Sequence, residues 1–146
     1  MEGPPPFVDF LHDRDGIVEN DEIRIIIVDN RASNRRGLKA LLAFEPRIMI
    51  VGEAADGTEA VQLVGRDQPD LVLMDIHMPV MDGLKATQKI KSTWPNVKVV
   101  LYSVYPGYQE DATLAGADSF MIKGSPDTPL PETLLSFFPP KENVSS

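Results

Sequence analysis

The sequence predicts an α/β fold in which five parallel strands form a doubly wound sheet with helices on both faces. Two observations predict this class: apolar runs recur five times after residue 22, and the segments between them have the spacing of helices. Strands that are apolar at nearly every position are typical of parallel sheets whose two faces are both covered. Because parallel strands need right-handed crossover connections, the intervening helices are expected on both faces.

The five apolar runs give the predicted strands in chain order. They lie at residues 23–28, 48–51, 71–74, 97–102 and 119–122. The third is the most informative, because its four large apolar residues, Leu71 to Met74, are followed at once by a single carboxylate, Asp75. Ligands of open α/β sheets bind just beyond the carboxyl ends of such strands, which makes Asp75 a candidate functional residue. The alternative is that Asp75 only caps the following helix.

The first two predicted helices lie between the first three strands. Leu38, Leu41 and Leu42 form an apolar stripe with helical spacing, which predicts one face packed on the sheet. Asp56, followed three residues later by Glu59, resembles a capping box and predicts the start of the second helix.

Two further helices are predicted after turn-forming residues. Asp82, which stands before Gly83, offers an N-cap for the third helix. Leu134, Leu135 and Phe138 indicate a short last helix that begins after Pro131, because proline is tolerated in the first turn of a helix.

One folded domain is expected, at residues 22–138, because 146 residues are one domain's worth of chain and show no internal repeat. Residues 1–21 contain three successive prolines and then an acidic, turn-rich stretch, so we expect a flexible N-terminal tail. Residues 139–146 are expected to form a C-terminal tail.

The composition excludes several classes of function. The absence of cysteine excludes disulfides, thiol catalysis and thiolate metal sites. A net charge of -8 disfavours direct binding to nucleic acid or to an anionic membrane, since both need a basic face. No segment is long and apolar enough to span a bilayer, and the first residues lack the features of a signal peptide. We therefore expect a cytoplasmic protein.

Polar residues follow four of the predicted strands. Asp29 and Asn30 follow the first, Asp75 the third, Ser103 the fourth and Lys123 the fifth. In a doubly wound sheet these strand ends share one edge, so the side chains can converge. A carboxylate pair suits a hard cation such as Mg²⁺, and a hydroxyl and an ammonium suit a phosphoryl group. An aspartate in such a place can act as a nucleophile and form an acyl phosphate.

The chain resembles the receiver domain of two-component response regulators, the CheY-like superfamily, from about Ile23 to Phe138. Four matching pieces carry the resemblance by their order and spacing: Val28-Asp29, Leu71–Gly83, Ser103 and Gly116–Lys123. The amino-acid sequences of residues 51–57 and 74–83 most resemble those of receivers that usually precede a helix-turn-helix output domain.

This resemblance implies a flavodoxin-like fold with the strand order 2-1-3-4-5. It implies a phosphorylation-switched receiver in a phosphorelay, which is a signalling domain rather than an enzyme. The expected partners are a histidine kinase or phosphotransfer protein and an output protein that is contacted directly, without nucleic acid or membrane.

The resemblance also implies a role for each matching residue. Asp75 is expected to accept the phosphoryl group, which Ser103 would hydrogen-bond and Lys123 would pair with. Phe120 matches the aromatic residue that changes rotamer in the switch. The Mg²⁺ ligands would be Asp29, Asp75 and the backbone carbonyl of His77.

Two departures from the family pattern bear on these roles. Asn30 stands where a second acid is usual, so we expect Mg²⁺ to bind weakly, with the Asn30 amide at most a substitute ligand. Only 20 positions separate Ser103 from Lys123, and Tyr105-Pro106-Gly107-Tyr108 stands where the fourth helix should begin. That helix is therefore predicted to be shortened or displaced.

The sequence offers two alternatives to the phosphorylation switch. A degenerate receiver would bind a partner without phosphorylation. Asn30 and the altered fourth helix favour it, whereas Asp75, Ser103 and Lys123 oppose it. A phosphatase of the haloacid dehalogenase type also uses a strand-end aspartate with Mg²⁺. That class requires a second acid two residues later, where this chain has His77, and is disfavoured.

Overall fold

Five parallel strands form the centre of the fold in the computed structural model, which describes residues 21–125 and 129–140. The strands are β1 (Ile23–Val28), β2 (Ile48–Ala54), β3 (Leu71–Asp75), β4 (Lys98–Ser103) and β5 (Ser119–Ile122). They pair in the order β2-β1-β3-β4-β5, and every pair is parallel. The predicted fold class and strand order are confirmed. Residues 1–20 and 141–146, which make up most of the two predicted tails, lie outside the described residues.

Helices cover both faces of the sheet. They are α1 (Ala32–Leu42), α2 (Gly57–Asp67), α3 (Gly83–Thr93), α4 (Gln109–Ala115) and α5 (Leu130–Leu135). Residues of α2, α3 and α4 pack into one hydrophobic cluster with β-strand residues, whereas Leu42 of α1 and Leu134 of α5 belong to a second. Within the described part of the chain, no helix is long and apolar enough to cross a membrane.

The central strand β3 explains why the sheet is stable with both faces covered. All five of its residues are buried. Val72 and Met74 pack into the cluster on the α2–α4 face, and Leu71 and Leu73 pack into the cluster on the α1–α5 face. Because successive side chains of a strand point to opposite faces, an uninterrupted apolar run is what such a position needs.

Two aspartates fix the starts of α2 and α3. Asp56 accepts a hydrogen bond from the backbone N–H of Glu59 at 2.9 Å, and Asp82 accepts one from Lys85 N at 2.9 Å. The Glu59 carboxylate in turn accepts from the backbone N–H of Ala55 at 2.8 Å, one residue before the position that a capping box would use. The predicted starts of both helices are confirmed.

Gly83 allows the first turn of α3 to lie against the end of β3. A Cβ atom at this position would stand 2.3 Å from the backbone oxygen of Asp75, well inside contact distance. The N–H of Gly83 also donates to the carbonyl of Ile76 at 2.8 Å. The loop between β3 and α3 is therefore closed at its base, which holds the end of β3 in place.

The structure differs from the sequence prediction by one residue at the bounds of β3 and β4, and more clearly at three other places. Leu41 is half exposed, because it faces a cleft beside the short α5 helix, and only Leu42 of the predicted stripe is fully buried. β2 continues three residues beyond the predicted end, to Ala54. α5 ends at Leu135, so Phe138 packs on the core from the segment after the helix.

The fourth helix is shortened as predicted. A single 3-10 turn at Pro106–Tyr108 comes first, and α4 follows with only seven residues. Pro106 starts this turn because its fixed φ suits the first turn of a helix.

Candidate functional site

The carboxyl ends of β1, β3 and β5 bring two carboxylates and one ammonium together. The Lys123 Nζ atom lies 3.2 Å from Asp29 Oδ2 and 3.4 Å from Asp75 Oδ2. Asp29 has no exposed surface and Asp75 is 5% exposed, so the three charges interact in a largely desolvated place. One cation is therefore shared between two buried carboxylates.

Asp75 faces a cleft of about 460 Å³ whose wall includes Asn30, His77 and Tyr105. Its Oδ1 atom accepts a hydrogen bond from the backbone N–H of His77 at 3.2 Å. Burial raises the pKa of Asp75; the charge of Lys123 and the His77 N–H oppose this shift without cancelling it. The carboxylate is thus poorly stabilised in its ionised form and has a side open to the cleft.

Asp29 is held by many more donors than Asp75. Its Oδ1 atom accepts from the backbone N–H of Arg31 at 2.9 Å and from Asn34 Nδ2 at 3.3 Å. Its Oδ2 atom accepts from Asn34 Nδ2 at 3.2 Å, from the Tyr102 hydroxyl at 2.6 Å and from Lys123. Burial alone would raise the pKa of Asp29, but these hydrogen bonds and the charge of Lys123 lower it on balance.

Tyr102 is a residue of this site for which the sequence suggested no role. It is the last residue but one of β4 and stands in register with Asp75 of β3. Its side chain reaches past β3 to Asp29, the residue after β1. Burial raises the pKa of the Tyr102 phenol well above its ordinary range, and the bonded Asp29 carboxylate adds to the shift. The hydroxyl therefore remains protonated and donates. The only signal in the sequence was a phenol at the end of an otherwise apolar run.

The first helix is tied to the same strand end. The Arg35 guanidinium donates to the backbone carbonyl of Asp29 and, at 2.9 Å, to the carboxylate of Glu53 at the end of β2. This arrangement fixes the first turns of α1 above β1. It places Asn34, the neighbour of Arg35 in α1, against the Asp29 carboxylate.

Ser103, Phe120 and His77 lie around the site in different ways. The Ser103 side chain is buried, and its Oγ accepts from the backbone N–H of Tyr105 at 3.0 Å. Phe120 is partly buried against the cluster on the α2–α4 face. The exposed His77 ring makes edge contacts with Tyr105 and Tyr108, at centroid distances of 5.3 and 4.8 Å.

The donor set suits a hard cation only in part. Asp29 and Asp75 supply carboxylate oxygens, and among the described residues no third acid, histidine or cysteine completes a metal-binding group with them. Asn30 is exposed at the cleft and can offer an amide oxygen. Oxygen ligands are what Mg²⁺ prefers, but Asp29 already accepts hydrogen bonds on both of its oxygens. A divalent cation on Asp29 would have to displace at least one of these donors.

The comparisons with known proteins agree with this geometry. The model of the response regulator receiver domain matches residues 25–134. The transcriptional regulatory protein DegU of Brevibacillus brevis is 36% identical over 108 residues, which cover 73% of this chain and 46% of DegU. This chain spans about half the length, or less, of the curated relatives that it matches.

Solved receiver structures share the fold. The signal receiver domain of a NarL response regulator from Mycobacterium tuberculosis superposes with a TM-score of 0.74 at 30% identity, covering 80% of this chain and 95% of that one. A complex of CheX and CheY with BeF3 and Mg²⁺ from Borrelia burgdorferi contains a chain with a TM-score of 0.72 at 27% identity, covering 80% and 88%. The sequence, the fold and these relatives lead to one conclusion: the chain belongs to the family of response regulator receiver domains of two-component systems.

Proposed function

We propose that this receiver is a phosphorylation switch in which Asp75 accepts a phosphoryl group from the phosphohistidine of a histidine kinase or phosphotransfer protein. The observation that carries the proposal is the position of Asp75, at a buried strand end with one side on a cleft and Lys123 at 3.4 Å. An Asp75 oxygen attacks phosphorus, a P–O bond forms, and the P–N bond to the imidazole breaks. The imidazole nitrogen keeps the electron pair and takes up a proton.

Lys123 and Ser103 are proposed to receive the new group. A phosphoryl group brings up to about two negative charges into the site, and Lys123 offsets part of them. Ser103 Oγ accepts from Tyr105 N, which leaves the hydroxyl proton as a donor toward the phosphoryl oxygens. A rotation of Ser103 toward the phosphoryl group gives up its bond to Tyr105 and so loosens the segment that leads into α4.

Mg²⁺ is proposed as the cofactor, held by Asp29, Asp75 and the backbone carbonyl of His77, with the Asn30 amide as a weak further ligand. When bound, such an ion neutralises charge on the transferring phosphoryl oxygens. Asn30 supplies no charge, so the affinity is expected to be lower than at a site with a complete acidic pair.

Signalling is proposed to occur by protein–protein contact on the side of α4 and β5. Large apolar side chains are exposed there: Val104, Tyr105, Leu114 and Ile122. The negative net charge disfavours a direct contact with nucleic acid. In this scheme Ser103 and Phe120 transmit the change at Asp75 to the contact surface.

Intact mass spectrometry after incubation with acetyl phosphate and MgCl₂ tests the phosphoacceptor. The wild type should gain the mass of one phosphoryl group, and Asp75→Ala should gain none. Asp82→Ser is a matched control, because it removes a nearby exposed carboxylate and keeps a side chain that can cap α3. An undiminished mass gain in Asp75→Ala would contradict the assignment.

A degenerate receiver that binds its partner without phosphorylation is the second candidate, favoured by Asn30 and by the donors that already surround Asp29. Amide NMR spectra with beryllium fluoride, a mimic of the phosphoryl group, separate the two. The switch predicts shifts from Ser103 through about Ala115 and around Phe120. Shifts confined to the loops beside Asp75 would favour the degenerate module.

A further inference from the structure

Three side chains from three different elements enclose Asp29. Tyr102 comes from β4, Asn34 from α1, and Lys123 follows β5; we call these three residues the Asp29 clamp. Together with the Arg31 backbone N–H they leave the carboxylate no exposed surface. Asp75, by contrast, lines the cleft that also contains Asn30 and His77.

The Asp29 clamp and the Arg31 N–H occupy the lone-pair positions of the Asp29 carboxylate. A carboxylate offers about four lone-pair positions, and Asp29 receives five donor contacts from four groups. The Tyr102 contact is the shortest of them, at 2.6 Å. Hydrogen bonds from a neutral donor to an ionised acceptor are about twice as strong as those between neutral groups.

We propose that the Asp29 clamp, and above all the Tyr102 hydroxyl, sets the affinity of this receiver for Mg²⁺ by occupying the carboxylate oxygens that the ion needs. The inference rests on the proposed function, since it concerns the same cofactor site. Tyr102 is a positioning residue in this scheme, because its hydroxyl acts through Asp29, to which it donates. Mg²⁺ binding at Asp29 and the hydrogen bond from the Tyr102 hydroxyl to Asp29 then exclude one another.

Asn30 alone does not account for this arrangement. An amide in place of a second acid lowers the negative charge at the cleft, but it does not change the access to Asp29. Asn34 of α1 and Tyr102 of β4 both bond Asp29 and would each oppose the ion even if position 30 were acidic. The clamp is thus a second and independent control on metal affinity.

The test is a titration of the whole chain with MgCl₂, followed by the amide signals of Asp29 and Arg31 and by the ring signals of Tyr102. Tyr102→Phe removes only the hydroxyl, and Asn34→Ala removes the amide donor. We expect the Kd for Mg²⁺ to fall about tenfold in Tyr102→Phe, in keeping with the loss of a charge-assisted hydrogen bond, and about threefold in Asn34→Ala. The double variant should bind more tightly than either single one.

Two matched controls remove a hydroxyl from exposed helix residues outside the clamp. Ser33→Ala changes the residue before Asn34 on α1, and Ser92→Ala changes a residue of α3 whose hydroxyl donates to the Lys89 carbonyl. Both should leave the Kd unchanged. In the wild type, the Tyr102 ring signals should shift with the same Kd as the Asp29 amide, because the ion displaces the hydroxyl.

Three results would overturn the inference. They are an unchanged Kd for Mg²⁺ in Tyr102→Phe, a higher Kd in that variant, or no saturable Mg²⁺ binding in either the wild type or the variant. The second would show that Tyr102 orients Asp29 for the metal instead of withholding it. The titration contains no phosphodonor, so its outcome is separate from the mass measurement on Asp75. Tighter Mg²⁺ binding in the variants combined with no phosphoryl uptake would contradict the proposed function alone.

Discussion

Asp29 and Asp75 share one lysine and are both buried, and yet their pKa values are shifted in opposite directions. Asp29 gains hydrogen bonds from Tyr102, Asn34 and the Arg31 N–H, and its pKa is lowered. Asp75 keeps few donors besides the His77 N–H and Lys123, and burial raises its pKa. The comparison teaches that the number of hydrogen-bond donors, and not depth alone, decides whether the ionised form of a buried carboxylate is stabilised or destabilised by the fold.

The largest expected effect comes from removing the well-held carboxylate. Asp29→Ala leaves the Tyr102 hydroxyl, the Asn34 amide and part of the Lys123 charge without their acceptor. The free energy of unfolding should fall by about 3 kcal/mol, the usual cost of breaking a buried ion pair. Urea denaturation followed by circular dichroism measures this loss. A loss below about 1 kcal/mol, the worth of a single ordinary hydrogen bond, would mean that the donors of Asp29 find other partners.

A smaller effect is expected when the missing acid is restored. Asn30→Asp adds a charge beside the cleft, and two unit charges 4 Å apart interact by about 4 kcal/mol at an effective dielectric constant near 20. Even a fraction of this, after desolvation, should tighten Mg²⁺ binding about tenfold. Titration with MgCl₂ checks the change, and Asn96→Asp is a control because Asn96 is an exposed residue before the opposite end of β4. Equal affinities for Mg²⁺ would show that the Asn30 amide already suffices or that the ion binds elsewhere.

The smallest effect on stability is expected at Asp75, and it should depend on pH. Because the folded state raises the pKa of Asp75 above its ordinary value of 3.8, the protonated form is favoured in the fold. The stability that Asp75 contributes is therefore fully present below pH 3.8, where the carboxyl is protonated in both states. This stability is lost as pH rises through the raised pKa of the folded state. Asp75→Asn removes this loss, so at pH 7 the variant should be more stable than the wild type, with a higher Tm.

Asp29 should show the opposite pH dependence of stability in the same experiment. Its lowered pKa means that its contribution is present above the ordinary value of 3.8 and is lost as pH falls through the lowered one. Unfolding measured from pH 4 to pH 7 should therefore show the advantage of Asp75→Asn growing with pH, whereas the penalty of Asp29→Ala persists throughout. An Asp75→Asn advantage that shrinks as pH rises would contradict the assigned direction.

The fold and the meeting of the charged residues could be predicted from the sequence because both follow from local patterns. The apolar run before Asp75 marks a buried parallel strand, and parallel strands place their carboxyl ends at one edge. Asp29 and Lys123, which follow two other strands, are therefore brought to the same place. The shortening of the fourth helix could also be predicted from the sequence, because Pro106 and Gly107 interrupt its start.

The contacts that distinguish Asp29 from Asp75 could not be predicted in this way. The Tyr102 hydroxyl reaches a residue 73 positions earlier in the chain, past an intervening strand, and this depends on side-chain direction and on which face of β4 Tyr102 occupies. Leu41 shows the same limit in the core: its helical spacing is right, but it is exposed on a cleft whose lining also includes Leu130 and Pro131 at the start of α5. The chemical roles of the site residues remain predictions.

Gly83 restricts the directions in which Asp75 can move. With the backbone of α3 seated so closely on the end of β3 that no side chain fits between them, Asp75 cannot recoil toward that helix when its charge changes. The base of the loop acts as a fixed wall, and Ile76 is further tied to β4 through its N–H bond to the Tyr102 carbonyl at 3.1 Å. We therefore expect a displacement that begins at Asp75 to run along the sheet toward β4 and β5 rather than into α3, with Gly83 as the residue that closes the other route.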